Sequence, residues 1–434
     1  MHGHSAHIVA ARRASPSDTS HRRVAWLAAL GLLGAWVAWV VAAQSVGTSA
    51  GEGIVEPGAK PFYYYLAHGS GLMCALAAGV MAARNGQYRR LDPVTRNAFW
   101  VLQLTAAAWA LLSYGIGDYI SFKAFGATGP FVWFSTVLIF AGMEKRIWPV
   151  IDKVVFSTAV ISAVLAVIAV ATTHRDITQR WLSTPVYYMV LLMWFGGWTL
   201  LSFSREQSLR ESWRIWPYIV FMVLTVFTKT RSWFVMSVFL LFAFLALNRP
   251  AVNSRSAVLA HRLKMTAIVL AAAAVMGFIL KDLLVSSFLE FSDRAMQDTR
   301  SGQYIDFFAD VPVTDLILGR GPNGTWDWNG KDYQYFDNAL LWMSFIGGLP
   351  TAISYVMVVI LPAFRALGSG STEITSASVL LLFWGLACTG FSTYTNPSLT
   401  PHAYLLCLLA GRCLGAVAER RASPIRRGVP VPGT

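Results

Sequence analysis

The sequence predicts an all-α integral membrane protein with about twelve transmembrane helices. Apolar residues make up 55% of the 434 positions and charged residues only 13%, and the mean hydropathy is +0.51. A soluble domain carries about 25% charged residues, so the composition excludes that class. The apolar residues also form long runs separated by short basic loops, which is the pattern of membrane-spanning helices.

The elements follow from the order of the apolar runs. Residues 1–23 are polar and predict a disordered cytoplasmic tail. Nine spans are then expected within 24–280, an outer loop over 281–338, three spans within 339–418 and a cytoplasmic tail over 419–434. The first run exceeds the roughly 7–15 residues of a signal-peptide core, so we expect it to be retained. The predicted spans are 24–43, 62–83, 98–117, 130–143, 154–172, 184–203, 215–228, 232–248, 265–280, 339–361, 376–394 and 402–418.

Basic residues indicate the orientation of these spans. Lys and Arg are distributed about two to one in favour of the segments assigned to the inside, as expected for cytoplasmic loops. Both termini are therefore expected in the cytoplasm, and the loop 281–338 outside. The formal charge of +13 lies beside the spans and reports topology, so no nucleic-acid partner is expected.

The run 215–248 is interrupted by Lys229-Thr230-Arg231. A single helix over this run would be about 51 Å long, against a hydrocarbon core of about 30 Å. We therefore predict two short spans joined by an outer turn that carries Lys229 and Arg231. One interpretation of Arg231 is a snorkelling charge that marks a helix end. The other is a guanidinium group that binds a phosphate through two parallel hydrogen bonds.

The outer loop is the long polar interval of the chain, and loops of this length are usually functional. Residues 288–309 have mixed apolar and polar character, which favours an amphipathic helix or two on the membrane surface. Arg300 precedes a glycine-rich stretch that contains Gly319, Arg320, Gly321 and Asn323. Glycines beside a cation let the backbone approach a ligand closely.

Asp337 and Asn338 stand where the loop returns to the membrane. Because Asp and Asn are favoured N-caps, one interpretation is a cap for a helix that begins near Ala339. The other is a general base, since a carboxylate at the mouth of a membrane helix can take up a proton. The two roles are compatible.

Elsewhere, Arg412 is expected to snorkel towards the inner surface, and His402 is expected to be a structural histidine.

Several short motifs follow one another in the second half of the chain. They are Thr228-Lys229-Thr230-Arg231-Ser232, Arg300, Leu318-Gly319-Arg320-Gly321, Asp337-Asn338 and Gly347-Gly348. In their order and spacing, the chain resembles the O-antigen ligase and Wzy-type polysaccharide polymerase superfamily over about residues 215–365. The ligase branch typically has histidine beside asparagine where this chain has Asp337, which favours a polymerase, most similar to exopolysaccharide polymerases of the xanthan type.

The resemblance implies a metal-independent glycosyltransferase without a cofactor, in the bacterial inner membrane and active on the periplasmic side. Its substrate would be an undecaprenyl-pyrophosphate-linked oligosaccharide. Membrane lipid and the chain-length-regulating and export proteins of the same pathway would be its partners. Asp337 and Arg231 are the expected catalytic residues. The expected substrate-binding residues are Lys229, Arg300, Gly319, Arg320, Gly321, Asn323 and Asn338.

Three alternatives remain open at this stage. An O-antigen ligase would use the same face of the membrane. A polysaccharide or lipid-linked oligosaccharide transporter would also have about twelve spans and outer cations, although such proteins often carry internal repeats. A glycosyltransferase of another kind would place its acid in the first outer loop, at Glu52 or Glu56.

Overall fold

The computed structural model of the chain is almost entirely helical. It describes residues 16–45, 61–115, 130–172, 184–202, 214–227, 231–247, 256, 259, 263, 299–321, 324–328, 330–333, 336, 338–368, 371–391 and 400–422. Within these ranges the strands form one two-stranded antiparallel sheet, in which Trp326 pairs with Tyr333. The all-α fold class is thus confirmed for the described part of the chain.

The helices are numbered here in chain order. Short π or 3-10 segments extend several of them, among them Pro130–Val137 before α4 and Leu192–Gly196 between α6 and α7. The strands are β1 (Trp326–Trp328) and β2 (Lys331–Tyr333). The helices are α1 (Pro16–Ser45), α2 (Phe62–Ala82), α3 (Pro93–Gly115), α4 (Leu138–Gly142), α5 (Trp148–Thr172), α6 (Thr184–Leu191), α7 (Gly197–Leu201), α8 (Trp216–Phe227), α9 (Arg231–Leu247), α10 (Thr299–Asp310), α11 (Val313–Leu318), α12 (Ala339–Gly347), α13 (Leu349–Tyr355), α14 (Leu361–Ala366), α15 (Thr372–Leu386) and α16 (Pro401–Ala422).

Among the described residues, six helical stretches are long and apolar enough to cross a membrane. This length and composition indicate an all-α membrane protein. The predicted span 265–280 lies outside the described residues. The six stretches are Thr19–Gln44, Phe62–Arg90, Lys145–Thr172, Leu349–Ala366, Thr372–Thr389 and Pro401–Ala422, and the shorter apolar ones are Trp133–Gly142, Tyr187–Leu201, Trp216–Thr225 and Trp233–Leu247.

Glycines bring two pairs of helices into backbone contact. Where α1 crosses α2, a Cβ at Gly34 or at Gly71 would overlap the backbone of the other helix. Where α4 meets α16, a Cβ at Gly411 would overlap the carbonyl oxygen of Ile139. Small residues allow this approach in membranes, where close packing is a main source of helix association.

An ion-pair network holds one end of the bundle, which we call the tail face because α1 begins and α16 ends there. Asp92 pairs with Arg365 of α14 at 3.3 Å and with Arg421 of α16 at 3.4 Å. Glu419 of α16 pairs with Lys145 at 2.7 Å. These pairs join segments that are far apart in sequence, and they fix the relative positions of α3, α14 and α16.

Asp92 is the centre of this network. Burial raises the pKa of its carboxyl group, but hydrogen bonds from Thr95 and the guanidinium groups of Arg421 and Arg365 outweigh burial and hold that pKa below its usual value. The ionised form of Asp92 is therefore the form that the tail face stabilises.

Two predicted boundaries are corrected by the structure. Residues 339–361 were expected to form one span, but α12 ends at Gly347 and α13 begins at Leu349. Gly348 between them has φ +84°, which breaks the helix. Residues 16–23, expected to belong to a disordered tail, are instead part of α1.

Arg412, which was expected to snorkel towards the inner surface, reaches side chains at the tail-face ends of two helices. Its side chain is 10% exposed and pairs with Glu373, near the start of α15. Its guanidinium carbon lies 4.3 Å from the ring centroid of Trp148, the first residue of α5, and 5.5 Å from that of Trp198. Trp198 Nε1 in turn donates to Asp152 at 2.9 Å. Aromatic faces attract a guanidinium group, so these rings help to hold Arg412 beside Glu373.

Candidate functional site

The described part of the predicted outer loop forms a small unit with its own apolar core. Phe307 of α10 is fully buried. Its ring centroid lies 4.5 Å from that of Phe336, 5.3 Å from Trp326 of β1 and 5.5 Å from Phe345 of α12. Aromatic rings at these separations attract one another. The packing of these rings therefore ties α10 and the β-hairpin to α12. We call the described residues within 299–336 the loop unit.

Gly319-Arg320-Gly321 forms a turn against the C-terminal end of α12. The N–H of Arg320 donates to the carbonyl oxygen of Phe345 at 2.7 Å, and that of Gly321 donates to Ile346 at 3.0 Å. The last carbonyls of a helix lack partners within the helix, and this turn supplies them. The backbone of the turn is thus fixed to α12.

Both glycines of the turn are required by geometry. Gly319 has φ +88° and Gly321 φ +87°, a region that other residues rarely adopt. A Cβ at Gly319 would also lie 2.6 Å from the nitrogen of Gly348, and one at Gly321 would lie 2.8 Å from the ring of Trp109 in α3. Trp109 is near the end of α3 that is remote from Asp92, so the turn lies at the opposite end of the bundle from the tail face. We call that end the loop face.

The guanidinium group of Arg320 is held in place and remains 39% exposed. Its Nη1 donates to the carbonyl oxygen of Thr325 at 2.6 Å. Its Nε lies 3.4 Å from a carboxylate oxygen of Asp315, and its Nη1 lies 3.9 Å from one of Asp310. An anionic ligand at Arg320 would therefore compete with two carboxylates for the same group.

Asn338 caps α12, as one of the two interpretations predicted. Its Oδ1 accepts hydrogen bonds from the N–H groups of Leu340 at 3.1 Å and Leu341 at 3.0 Å. Its Nδ2 donates to the hydroxyl of Tyr304 in α10 at 3.2 Å. Asn338 thus connects the start of α12 to the loop unit, a link that sequence reasoning did not foresee.

The structure brings some of the predicted site residues together and leaves others undescribed. Gly319, Arg320, Gly321 and Asn338 all contact α12. Arg231 is the first residue of α9 and Arg300 lies in α10, but their side chains are not described. Lys229, Asn323 and Asp337 lie outside the described residues.

Acidic residues that sequence reasoning missed line a shallow cavity in the loop unit. The cavity has a volume of about 450 Å³. The carboxylate of Asp310 accepts from the N–H of Asp327 at 2.9 Å. The spacing of Asp306 and Asp310, one helical turn apart on α10, is a signal that could have indicated this acidic face. The lining residues are Asp306, Ala309, Asp310, Asp327 and Gly330.

Two further features bear on the chemistry. Within the described ranges, no group of three or more His, Cys, Asp or Glu side chains is placed to hold a metal ion. His402 is completely buried, with Nε2 3.1 Å from the Thr400 hydroxyl and its ring packed beside those of Trp194 and Trp384. This environment is that of the structural histidine that the sequence predicted.

Comparison with known protein families, with curated proteins and with solved structures returned no match.

Proposed function

We propose that this chain is a polysaccharide polymerase of the bacterial inner membrane that acts at the periplasmic face. It would transfer a growing glycan from undecaprenyl pyrophosphate to a hydroxyl of a lipid-linked repeat unit, as in exopolysaccharide synthesis. The observation that carries the proposal is the arrangement around α12. The Asn338 cap, which follows Asp337 in the sequence, and the Arg320 turn contact opposite ends of this one helix.

The chemical roles follow from this arrangement. The sugar hydroxyl attacks the anomeric carbon and gives its proton to Asp337, while the bond from that carbon to the pyrophosphate oxygen breaks. The lipid pyrophosphate leaves without a general acid because cations neutralise its charge. Arg231, Arg300, Arg320 and Lys229 are the proposed cations. A single displacement needs one base, so the two-carboxylate arrangement of glycosidases does not apply.

The helix connections support the twelve-span topology that this proposal requires. At the tail face, Ser376 of α15 donates to the carbonyl oxygen of Leu201 in α7 at 2.6 Å. Arg214 precedes α8, and its guanidinium carbon lies 5.9 Å from the ring centroid of Phe156 in α5. Because α8 and α9 are antiparallel neighbours, α9 returns towards the tail face. Gly319 lies at the loop face, which agrees with the proposed topology, in which a span over 265–280 leads from the tail face to the loop face.

Two substitutions test the proposal in the purified protein, with elongation of lipid-linked glycan in detergent as the readout. Arg231→Ala should lower the rate roughly 10²–10³-fold, the scale for losing one charge-stabilising donor. Asp337→Asn should lower it about 10²–10⁴-fold, the contribution of a general base, and it leaves the Asn338 cap of α12 unchanged. Arg89→Ala on the tail face and Asp332→Asn on the hairpin are matched controls with exposed side chains. Normal chain length in both test variants would refute the proposal.

One observation favours a transporter as a second candidate. Asp152 and Arg412 lie inside candidate spans and face each other across Trp198. Charged residues within membrane segments often mark transport pathways. The detergent assay separates the candidates, because a transporter lengthens no glycan in the absence of compartments. A deletion strain separates polymerase from ligase: single repeats accumulate without a polymerase, and unattached long chains without a ligase.

A further inference from the structure

We propose that α11 is embedded in the headgroup region of the bilayer at the loop face, and that lipid covers its exposed apolar side. Val313 is 68% exposed, Ile317 47% and Leu318 73%. Val313 and Ile317 are one helical turn apart and therefore share a face. We call these three residues the α11 ridge. A contiguous apolar surface of this kind marks an interaction site when it is not covered by the protein itself.

The α11 ridge is continuous with the lipid-facing surface of a candidate span. A Cβ at Gly348 would lie 2.7 Å from the carbonyl oxygen of Ile317 and 2.9 Å from that of Leu318. The end of α11 therefore touches the start of α13, the helix that opens the stretch Leu349–Ala366. That stretch itself exposes Leu349 at 45% and Ile353 at 50%. A span that exposes aliphatic side chains faces lipid. The α11 ridge lies next to this span and is therefore expected to contact lipid as well.

The one charged residue of α11 has a partner within the protein. Asp315 pairs with Arg320 at 3.4 Å, whereas the three residues of the α11 ridge are apolar and exposed. Apolar side chains of a helix at a membrane surface enter the boundary between headgroups and acyl chains. A second copy of the chain is the alternative occupant, but it would also have to cover Leu349 and Ile353, which are exposed on the candidate span Leu349–Ala366 and suit contact with lipid.

This placement has a consequence for the reaction. Leu318 is the last residue of α11 and Arg320 follows two positions later. Anchoring α11 in the interface would hold the Arg320 turn at the depth of lipid phosphates, where a prenyl pyrophosphate is presented. This consequence rests on the proposed function, whereas the contact between α11 and lipid does not.

Site-directed fluorescence labelling tests the contact between α11 and lipid without a measurement of enzymatic activity. Of the four cysteines, all free, Cys74 is partly exposed and the other three are buried, so Cys74→Ala gives the background. Leu318→Cys and the control Asp332→Cys are labelled with an environment-sensitive dye in phosphatidylcholine vesicles. At position 318 we expect blue-shifted emission, quenching by lipids spin-labelled near the headgroup and protection from aqueous iodide. At position 332 we expect the reverse.

Two outcomes would overturn the inference. Equal iodide quenching at positions 318 and 332 would place the α11 ridge in water. Protection at position 318 from both quenchers would mean that protein, such as a second copy, covers it. If Leu318→Cys fails to fold, Val313→Cys is read in the same way. Because no glycan enters the assay, failure of the polymerase proposal and failure of this inference are distinguishable.

Discussion

The substitution Gly321→Ala tests whether Trp109 holds the Arg320 turn in place. Alanine at this position meets two costs. A left-handed backbone conformation costs an L-residue about 1–2 kcal/mol, and forcing a Cβ to 2.8 Å from the Trp109 ring is overpacking, which costs about 1–3 kcal/mol. We expect a total loss of about 2–5 kcal/mol in the free energy of unfolding.

Gly330→Ala is the matched control. Gly330 also has a positive φ, +74°, but no atom lies within 4 Å of the Cβ that alanine would add. Only the conformational cost of about 1–2 kcal/mol then applies. Unfolding in mixed micelles with increasing sodium dodecyl sulfate, followed by tryptophan fluorescence, compares the two variants.

A double-mutant cycle with Trp109→Leu isolates the packing cost. The smaller side chain removes the ring atoms that the new Cβ would meet, so the loss in the double variant should be smaller than the sum of the single losses. Equal losses for Gly321→Ala and Gly330→Ala, together with strict additivity in the cycle, would refute the view that Trp109 fixes this turn.

Three further outcomes are expected, two of them in the same unfolding assay and one in the yield of folded protein. The pKa of Asp92 is held below its usual value of 3.8, so the stability that Asp92 contributes is present above that value and is lost as the pH falls through the lower folded-state pKa. Asp92→Asn should remove this loss of stability at low pH. If the free energy of unfolding falls at low pH in the variant as it does in the wild type, the assignment is contradicted. Gly411→Ala should strongly reduce the yield of folded protein, because its Cβ would overlap the Ile139 carbonyl. The control Gly69→Ala, which has open space around the added Cβ, should fold normally. Equal yields of the two variants would refute close packing of α4 on α16. Asn338→Ala should cost about 0.5–2 kcal/mol as a lost cap, and Asn338→Asp should recover most of this stability; no loss in the alanine variant would argue against the cap.

Hydropathy was sufficient to locate the long helices. The span predicted over 62–83 is observed as Phe62–Ala82, and the hairpin predicted within 215–248 is observed as α8 and α9. These elements follow from the length and spacing of apolar runs, which is information local in sequence. The same holds for the Asn338 cap, because a cap contacts backbone groups two and three residues away.

The contacts that build the loop unit could not be predicted in this way. Hydropathy does not distinguish one helix over 339–361 from two helices broken at Gly348, since both are equally apolar. Nor does it show that Trp109, more than two hundred positions earlier, lies against Gly321. The rings of Trp148 and Trp198 that surround Arg412 come from α5 and α7, and spacing in the sequence does not show that they meet.

The α8–α9 hairpin shows how a short cation-rich interruption divides one apolar run into two helices. Tyr218 Oη donates to the carbonyl oxygen of Ser237 at 2.7 Å and the rings of Phe221 and Trp233 lie 6.4 Å apart, so the two helices are antiparallel. Their described parts are α8, which ends at Phe227, and α9, which begins at Arg231. One continuous helix over 215–248 could not place Tyr218 beside Ser237, because 19 residues along a helix axis span about 28 Å. The length argument from the sequence therefore identified the break between the helices, and Arg231 is the first residue of the second helix.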